Sequence, residues 1–186
     1  MPAPQPDPPF ETLVVSVDDS GRIGSLTLDR PSKLNAMSPT MLRELARAAR
    51  WFDDHTDCTV VVVAGAGRSF CAGFDLGAFQ RPRPDDDPRD TADLGRRMAD
   101  AITDMRAVTV AAVQGHCVGG GLVLAASCDL RVAEASTRFS IPEVDLGIPL
   151  AWGGIPRLVR ELGPARTKDL RSEEHTSELQ SLAYLV

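Results

Sequence analysis

Glu143 is the side chain in this sequence best placed to move a proton. It stands between Pro142 and Val144, with Phe139, Ile141, Leu146 and Ile148 as apolar neighbours along the segment. A carboxylate in apolar surroundings has a raised pKa and exchanges protons near neutral pH. A salt bridge or a cap would use the same residue without chemistry. A second feature is Gly119-Gly120-Gly121, which opens the apolar stretch Leu122 to Ala126. Three glycines start a helix poorly. They leave bare backbone N–H groups at the positive end of a helix, which suits a developing oxyanion. Close packing of backbone against a neighbouring element accounts for them equally well. The third feature is the small-residue loop from Gly65 to Leu76, which follows a β-branched run, a common ligand position. Its Gly65 and Gly67 lack the third glycine of a dinucleotide fingerprint, because Phe70 stands there. His116, in the turn before the three glycines, is either a base or a turn histidine bonded to backbone. Neither a GxxxxGK[ST] phosphate loop nor a GxSxG nucleophile elbow occurs.

These residues must be held by elements that the hydrophobic pattern predicts. Leu13 to Val17 and Ile23 to Leu28 read as two strands joined by a turn at Asp18 to Gly21. Asp29 to Ala36 reads as a loop. Ser38 followed by Pro39 is a helix start, and Met41, Leu42, Leu45, Ala49 and Phe52 form its apolar face. Thr59 to Ala64 is a central strand. Gln80 to Asp90 is a charged, proline-rich exposed loop. Leu94, Met98, Ala101, Ile102 and Met105 mark a second amphipathic helix. Val108 to Val113 is a buried strand, Gly115 turns the chain, and the glycine run opens a helix. Leu130 to Ala133 is a strand, Phe139 to Glu143 a short extended segment, and Gly153 to Glu161 a further helix. This alternation implies an α/β fold.

The 186 residues suit one domain with a substantial core, and 43% hydrophobic content is ordinary for a globular chain. A net charge of -6 gives no basic field for nucleic acid. No apolar run is long enough to span a membrane. The start, MPAPQPDPPF, lacks the pattern of a secretory signal and reads as a disordered arm over residues 1–10. Cys58, Cys71, Cys117 and Cys128 form no CxxC pair. Reduced, buried thiols and a cytoplasmic location are expected, with no metal site.

Four segments together resemble the crotonase superfamily, the enoyl-CoA hydratase/isomerase family: DRPSKLNAMS, SFCAGFDL, AAVQGHCVGGGLVLAASCDLRVA and FSIPEVDLGIPLAWGGIPRL. The resemblance covers about residues 11 to 170. It implies a spiral of repeated ββα units forming two stacked sheets, followed by helices that build trimers or hexamers. It also implies an acyl-CoA substrate, with coenzyme A entering as part of the thioester and no tightly bound cofactor. Carried over by position, the oxyanion donors are the N–H groups of Ala72 and Gly120, and the acid/base is Glu143. The coenzyme A arm would run past Lys33, Leu34, Ala36, Ala72, Phe74, Asp75 and Leu76, with Arg30 or Lys33 either meeting its phosphates or serving as surface charges. Gly119 and Pro142 flank the site, and Trp152 either bounds the acyl pocket or belongs to the core. Family hydratases carry a second glutamate three residues after the oxyanion glycine, where Val123 stands here. The single carboxylate resembles that of the Δ3-Δ2 enoyl-CoA isomerases. The dienoyl isomerases place a further acid where Ala151 stands. A weak hydratase and a non-catalytic acyl-CoA binder are the alternatives.

After Leu170 the chain changes character. Arg171 to Ser181 resembles the translation of a widely used DNA sequencing adapter, and Tyr184-Leu185-Val186 fits its continuation. Residues 171–186 are therefore expected to be non-native. The natural C-terminal segment, with the family's trimerisation helices, is expected to be missing.

Overall fold

The computed structural model describes residues 6, 8–54, 57–79, 88–145 and 147–172. A five-stranded sheet carries the molecule, in the order β1-β2-β3-β4-β6. β1 (Leu13–Val17) runs antiparallel to β2 (Ile23–Leu28), as a tight hairpin requires. β2, β3 (Val60–Gly65), β4 (Val108–Val113) and β6 (Leu130–Ala133) are mutually parallel. The β-branched run predicted to be central is β3, at the middle of the sheet.

A smaller layer lies one step further along each crossover. β5 (His116–Val118) pairs in parallel with β7 (Arg138–Ser140), and Cys71 bridges to Cys117 on the other side of β5. Met37 bridges to Phe74 in the same way. The chain therefore repeats one unit: a long strand, a short strand or single bridge, then a helix. β2 leads through Met37 to α1 (Pro39–Asp53), and β3 through Cys71 and Phe74 to α2 (Leu76–Phe79) and α3 (Pro88–Thr103). β4 leads through β5 to α4 (Gly120–Ser127), and β6 through β7 to α5 (Gly154–Leu162). This is the expected ββα spiral. A last helix, α6 (Pro164–Ser172), follows.

The core fills the inside of the spiral. α1 buries Met41, Leu42, Leu45, Ala49 and Phe52, as its 3.6-residue spacing demands. The Ser38 side chain accepts from Met41 N–H at 3.2 Å, a cap worth about 1 kcal/mol. α4 is buried along its whole length, which is why its sequence has no polar face. The opposite face of the large sheet is also apolar but open, and exposes Val14, Ile23, Val108, Leu130 and Val132.

Several expectations need correction. His116 begins a strand rather than lying in a turn, because β4 passes straight into the small layer after Gly115. α3 starts at Pro88, so the end of the expected 80–90 loop is helical; proline at a first helical position needs no N–H partner. Residues 80–87 lie outside the described residues. The expected arm over residues 1–10 ends sooner than its composition suggests. Phe10 lies under the Arg47 guanidinium at 4.1 Å, and Arg47 donates to Pro9 O at 3.1 Å. Residues 1–5 and 7 lie outside the described residues, as do 173–186 of the tail; Arg171 and Ser172 continue α6.

The crossover from β3 depends on Asn35, a fully buried polar side chain in a segment the sequence predicts only as loop. Its Nδ2 donates to Ser69 O at 2.8 Å and to Ala66 O at 2.9 Å, and its Oδ1 accepts from Arg30 N–H at 2.9 Å. Its φ of 56° is one that asparagine tolerates better than most residues. Asn35→Ala would orphan three backbone groups around a buried position, and urea unfolding should register a loss of about 3 kcal/mol.

Candidate active site

Glu143 reaches its position through β7. Val118 and Ser140 are register partners, and one residue further on Gly119 N–H donates to Ser140 O at 2.9 Å. The chain then turns, with Val144 N–H donating to Ile141 O at 3.1 Å, and Ile148 N–H closes a wider loop onto Glu143 O at 3.0 Å. That turn carries the Glu143 carboxyl back against Gly119. A β-carbon at Gly119 would overlap Oε1 and lie 3.1 Å from Cδ. Oε2 is buried and has no hydrogen-bond partner among the described residues. Burial pushes the Glu143 pKa up, outweighing an opposing backbone hydrogen bond. Of the apolar neighbours expected from the sequence, Ile141 is buried, Ile148 is exposed and Leu146 lies outside the described residues; the carboxyl lies against the Gly119 backbone and makes no salt bridge among the described residues.

The other two glycines have different neighbours. At Gly120 a β-carbon would overlap the Trp152 ring at Cζ3 and lie 2.8 Å from Cη2 and 3.0 Å from Met37 Cε. At Gly121 it would lie 2.7 Å from Cys71 O and 2.8 Å from Cys71 Cβ. Gly121 thus serves close packing against the Cys71 backbone, while Gly119 and Gly120 make room for the Glu143 carboxyl and the Trp152 ring. Gly120 is the first residue of α4, and none of the described residues accepts its N–H. In the chain it directly follows the residue against which the Glu143 carboxyl packs.

The loop after β3 lies alongside. Cys71 N–H donates to His116 O at 2.9 Å and Val118 N–H to Cys71 O at 3.0 Å, which zips the loop to β5. A β-carbon at Gly73 would stand 3.0 Å from Val118 O and 3.7 Å from Gly120 N. The Phe74 ring meets Trp152 edge-on, with centroids 5.9 Å apart. Ala72, expected to supply an oxyanion donor, does not: its N–H donates to Leu34 O at 2.9 Å. The chain must satisfy the backbone of the Leu34–Asn35 turn, and the Ala72 amide does so.

The remaining predicted contacts sit on the neighbouring loop. Arg30 donates to Asp75 at 2.8 Å and also to Ala36 O, so it braces the loop rather than standing open. Burial alone would raise the Asp75 pKa, but the Arg30 guanidinium and the Ala78 and Gly77 amides hold it below the usual carboxylate value. Lys33 is exposed and ends a 3-10 turn (Pro31–Lys33). Leu34 has a φ of 50°, Leu76 is exposed, and Pro142 is half-buried at the head of the glutamate turn. His116 is exposed, its Nδ1 3.2 Å from Ser69 Oγ, and is not among the groups gathered at Gly119 and Gly120. Val123 is buried, with Cγ2 2.8 Å from where a Gly154 β-carbon would lie. All four cysteines are buried and free, and burial pushes the Cys71 and Cys128 thiols up to about 12. They are packing residues, not nucleophiles.

Sequence reasoning missed Gly95. It lies inside α3, and a β-carbon there would overlap Trp152 Cδ2, Cε2 and Nε1. The available signal was a glycine amid the helical spacing of Leu94 and Met98, where alanine is favoured by about 1 kcal/mol.

With this geometry in view, comparison with known proteins is direct. Residues 18–172 match the family described as Enoyl-CoA hydratase/isomerase. A probable enoyl-CoA hydratase of Mycobacterium bovis is 34% identical over 172 residues, covering 87% of this chain and 61% of the relative. A peroxisomal Delta(3,5)-Delta(2,4)-dienoyl-CoA isomerase of Arabidopsis thaliana is 32% identical over 173 residues, covering 87% and 62%. The crystal structure of an enoyl-CoA hydratase from Bacillus anthracis superposes with a TM-score of 0.85 at 26% identity, covering 94% of this chain and 68% of that one. The chain thus spans about three-fifths of the length of the curated relatives it matches. The spiral, the glycine-led α4 and the sequence match agree: the chain belongs to the enoyl-CoA hydratase/isomerase family, the crotonase superfamily.

Proposed function

We propose that the protein acts on acyl-CoA thioesters by single-carboxylate proton transfer, as a Δ3-Δ2 enoyl-CoA isomerase. The observation that carries this reading is the Glu143 carboxyl, partly buried, with no hydrogen-bond partner at Oε2 among the described residues, packed against the residue that precedes the Gly120 N–H. A thioester carbonyl oxygen bound at Gly120 N–H brings its adjacent carbon towards Glu143. Glu143 takes a proton from C2, the electrons move into the carbonyl to form a dienolate, and Gly120 N–H stabilises the oxygen. Return of the proton at C4 shifts the double bond into conjugation. One group performs both transfers, so a second acid is not required.

Val123 supports the isomerase over the hydratase. Positioning water for addition calls for a second carboxylate, and this position is apolar and packed towards Gly154. Hydration remains the second reading because several relatives carry hydratase names. Cytoplasmic location and a trimeric or hexameric assembly belong to the same proposal.

Glu143→Gln should lower conversion of 3-enoyl-CoA to 2-enoyl-CoA on the order of 10³-fold while leaving thioester affinity within a few-fold, read by steady-state kinetics and titration calorimetry. Undiminished turnover, or wild-type protein that only adds water to 2-enoyl-CoA, would sink the isomerase reading. In the wild type, the acidic limb of the rate should lie above the ordinary carboxylate range, since the base must be ionised. Stability has the opposite sign. A carboxyl whose pKa is raised on folding stabilises the native state when protonated, and this contribution fades as pH rises through the raised value. Glu143→Gln should therefore melt higher than wild type at neutral pH and equally at pH below the carboxylate range, compared by thermal melts at the two pH values.

A further inference from the structure

Trp152 is held with a thoroughness that its place in a loop does not explain. Its φ is 58°, a conformation that bulky residues seldom adopt. Its ring fills a slot whose two walls lack side chains, at Gly95 in α3 and Gly120 in α4. Arg157 fixes the turn from outside. It donates to Trp152 O at 3.4 Å and Gly153 O at 3.1 Å, while its other nitrogen donates to Asp100 at 2.9 Å on α3. Strain over-determined in this way is typical of functional positions. The ring edge faces Phe74, and Met37 approaches the same side of Gly120.

We propose that Trp152 sets the length of acyl chain that the site accepts, restricting it to short chains. The inference rests on the acyl-CoA reading above. With the carbonyl oxygen at Gly120 N–H and its neighbouring carbon at Glu143, the acyl chain continues past Gly120. There the indole occupies the space between α3 and α4 that a longer chain would need. Gly95 deepens that slot to admit the ring, so removing the ring leaves a gap lined by two glycines and by Met37. A short acyl group ends against the indole face and needs no such space.

The test measures affinities of butanoyl-, octanoyl- and dodecanoyl-CoA by isothermal titration for wild type, Trp152→Ala and Trp152→Phe, each shown folded by circular dichroism. Wild type should favour butanoyl-CoA over dodecanoyl-CoA. Trp152→Ala should raise the dodecanoyl-to-butanoyl affinity ratio at least about tenfold, as expected when several methylenes gain a pocket. Trp152→Phe should shift it part of the way, and decides the matter if the alanine variant does not fold. A purely structural role would move all three affinities together. An unchanged ratio in the variants, or equal affinities in the wild type, overturns the proposal. Failure of folded wild type to bind any of the three thioesters instead overturns the acyl-CoA reading beneath it.

Discussion

Everything at the centre of this protein depends on the exclusion of side chains from three consecutive positions. Gly119 admits the Glu143 carboxyl, Gly120 admits the Trp152 ring, and Gly121 admits the Cys71 backbone. The three intruders come from two other turns of the spiral than the one that carries the glycines. Cys71 follows β3, the glycines follow β4 and β5, and Glu143 and Trp152 follow β7. A β-carbon at Gly121 would meet the Cys71 backbone, while one at Gly119 or Gly120 would displace the Glu143 carboxyl or the Trp152 ring. Replacing alanine with glycine disfavours a helix by about 1 kcal/mol per residue. Burial of the whole of α4 offsets that cost, since Leu122, Val123 and Leu124 bring apolar surface into the core.

The same arrangement sets the electrostatics. A helix start favours a negative charge near it, and burial disfavours one. Burial prevails at Glu143, whose carboxyl holds its proton more tightly than a solvated glutamate. The contrast with Asp75 is instructive. Asp75 also feels some burial, yet Arg30 lies 2.8 Å away and keeps it ionised. One carboxylate has been given a partner and locks a loop. The other keeps one oxygen, Oε2, buried without a hydrogen-bond partner among the described residues.

Much of the fold was legible because its elements announce themselves locally. The alternating burial of β3, the Ser38-Pro39 helix start and the hairpin turn before Ile23 follow from side-chain period and backbone preference. The small layer was implied by the family resemblance but not by any local pattern. It consists of two three-residue strands and single-residue bridges at Met37, Cys71 and Phe74, too short for any periodicity to show. That layer aligns the site, and it explains why Ala72 was misassigned: whether an amide faces a ligand or a neighbouring turn depends on one bridge of register. Asn35 was missed for a related reason. Its three hydrogen bonds go to backbone groups from Arg30 to Ser69, and none of these is implied by its neighbours in sequence.

By itself the sequence determined the sheet-forming runs, the glycine-led helix, the family, and the one carboxylate in an apolar segment. Those are properties of residue type and near neighbours: volume, branching, charge and backbone freedom act within a few residues. Only the tertiary structure decided that the Ala72 amide is taken up by Leu34 O, that Arg30 and Asp75 brace each other, and that Gly95 and Gly120 make a seat for Trp152. Those outcomes depend on groups far apart in the chain competing for the same space and the same hydrogen bonds, and that competition is settled only when the turns of the spiral are stacked.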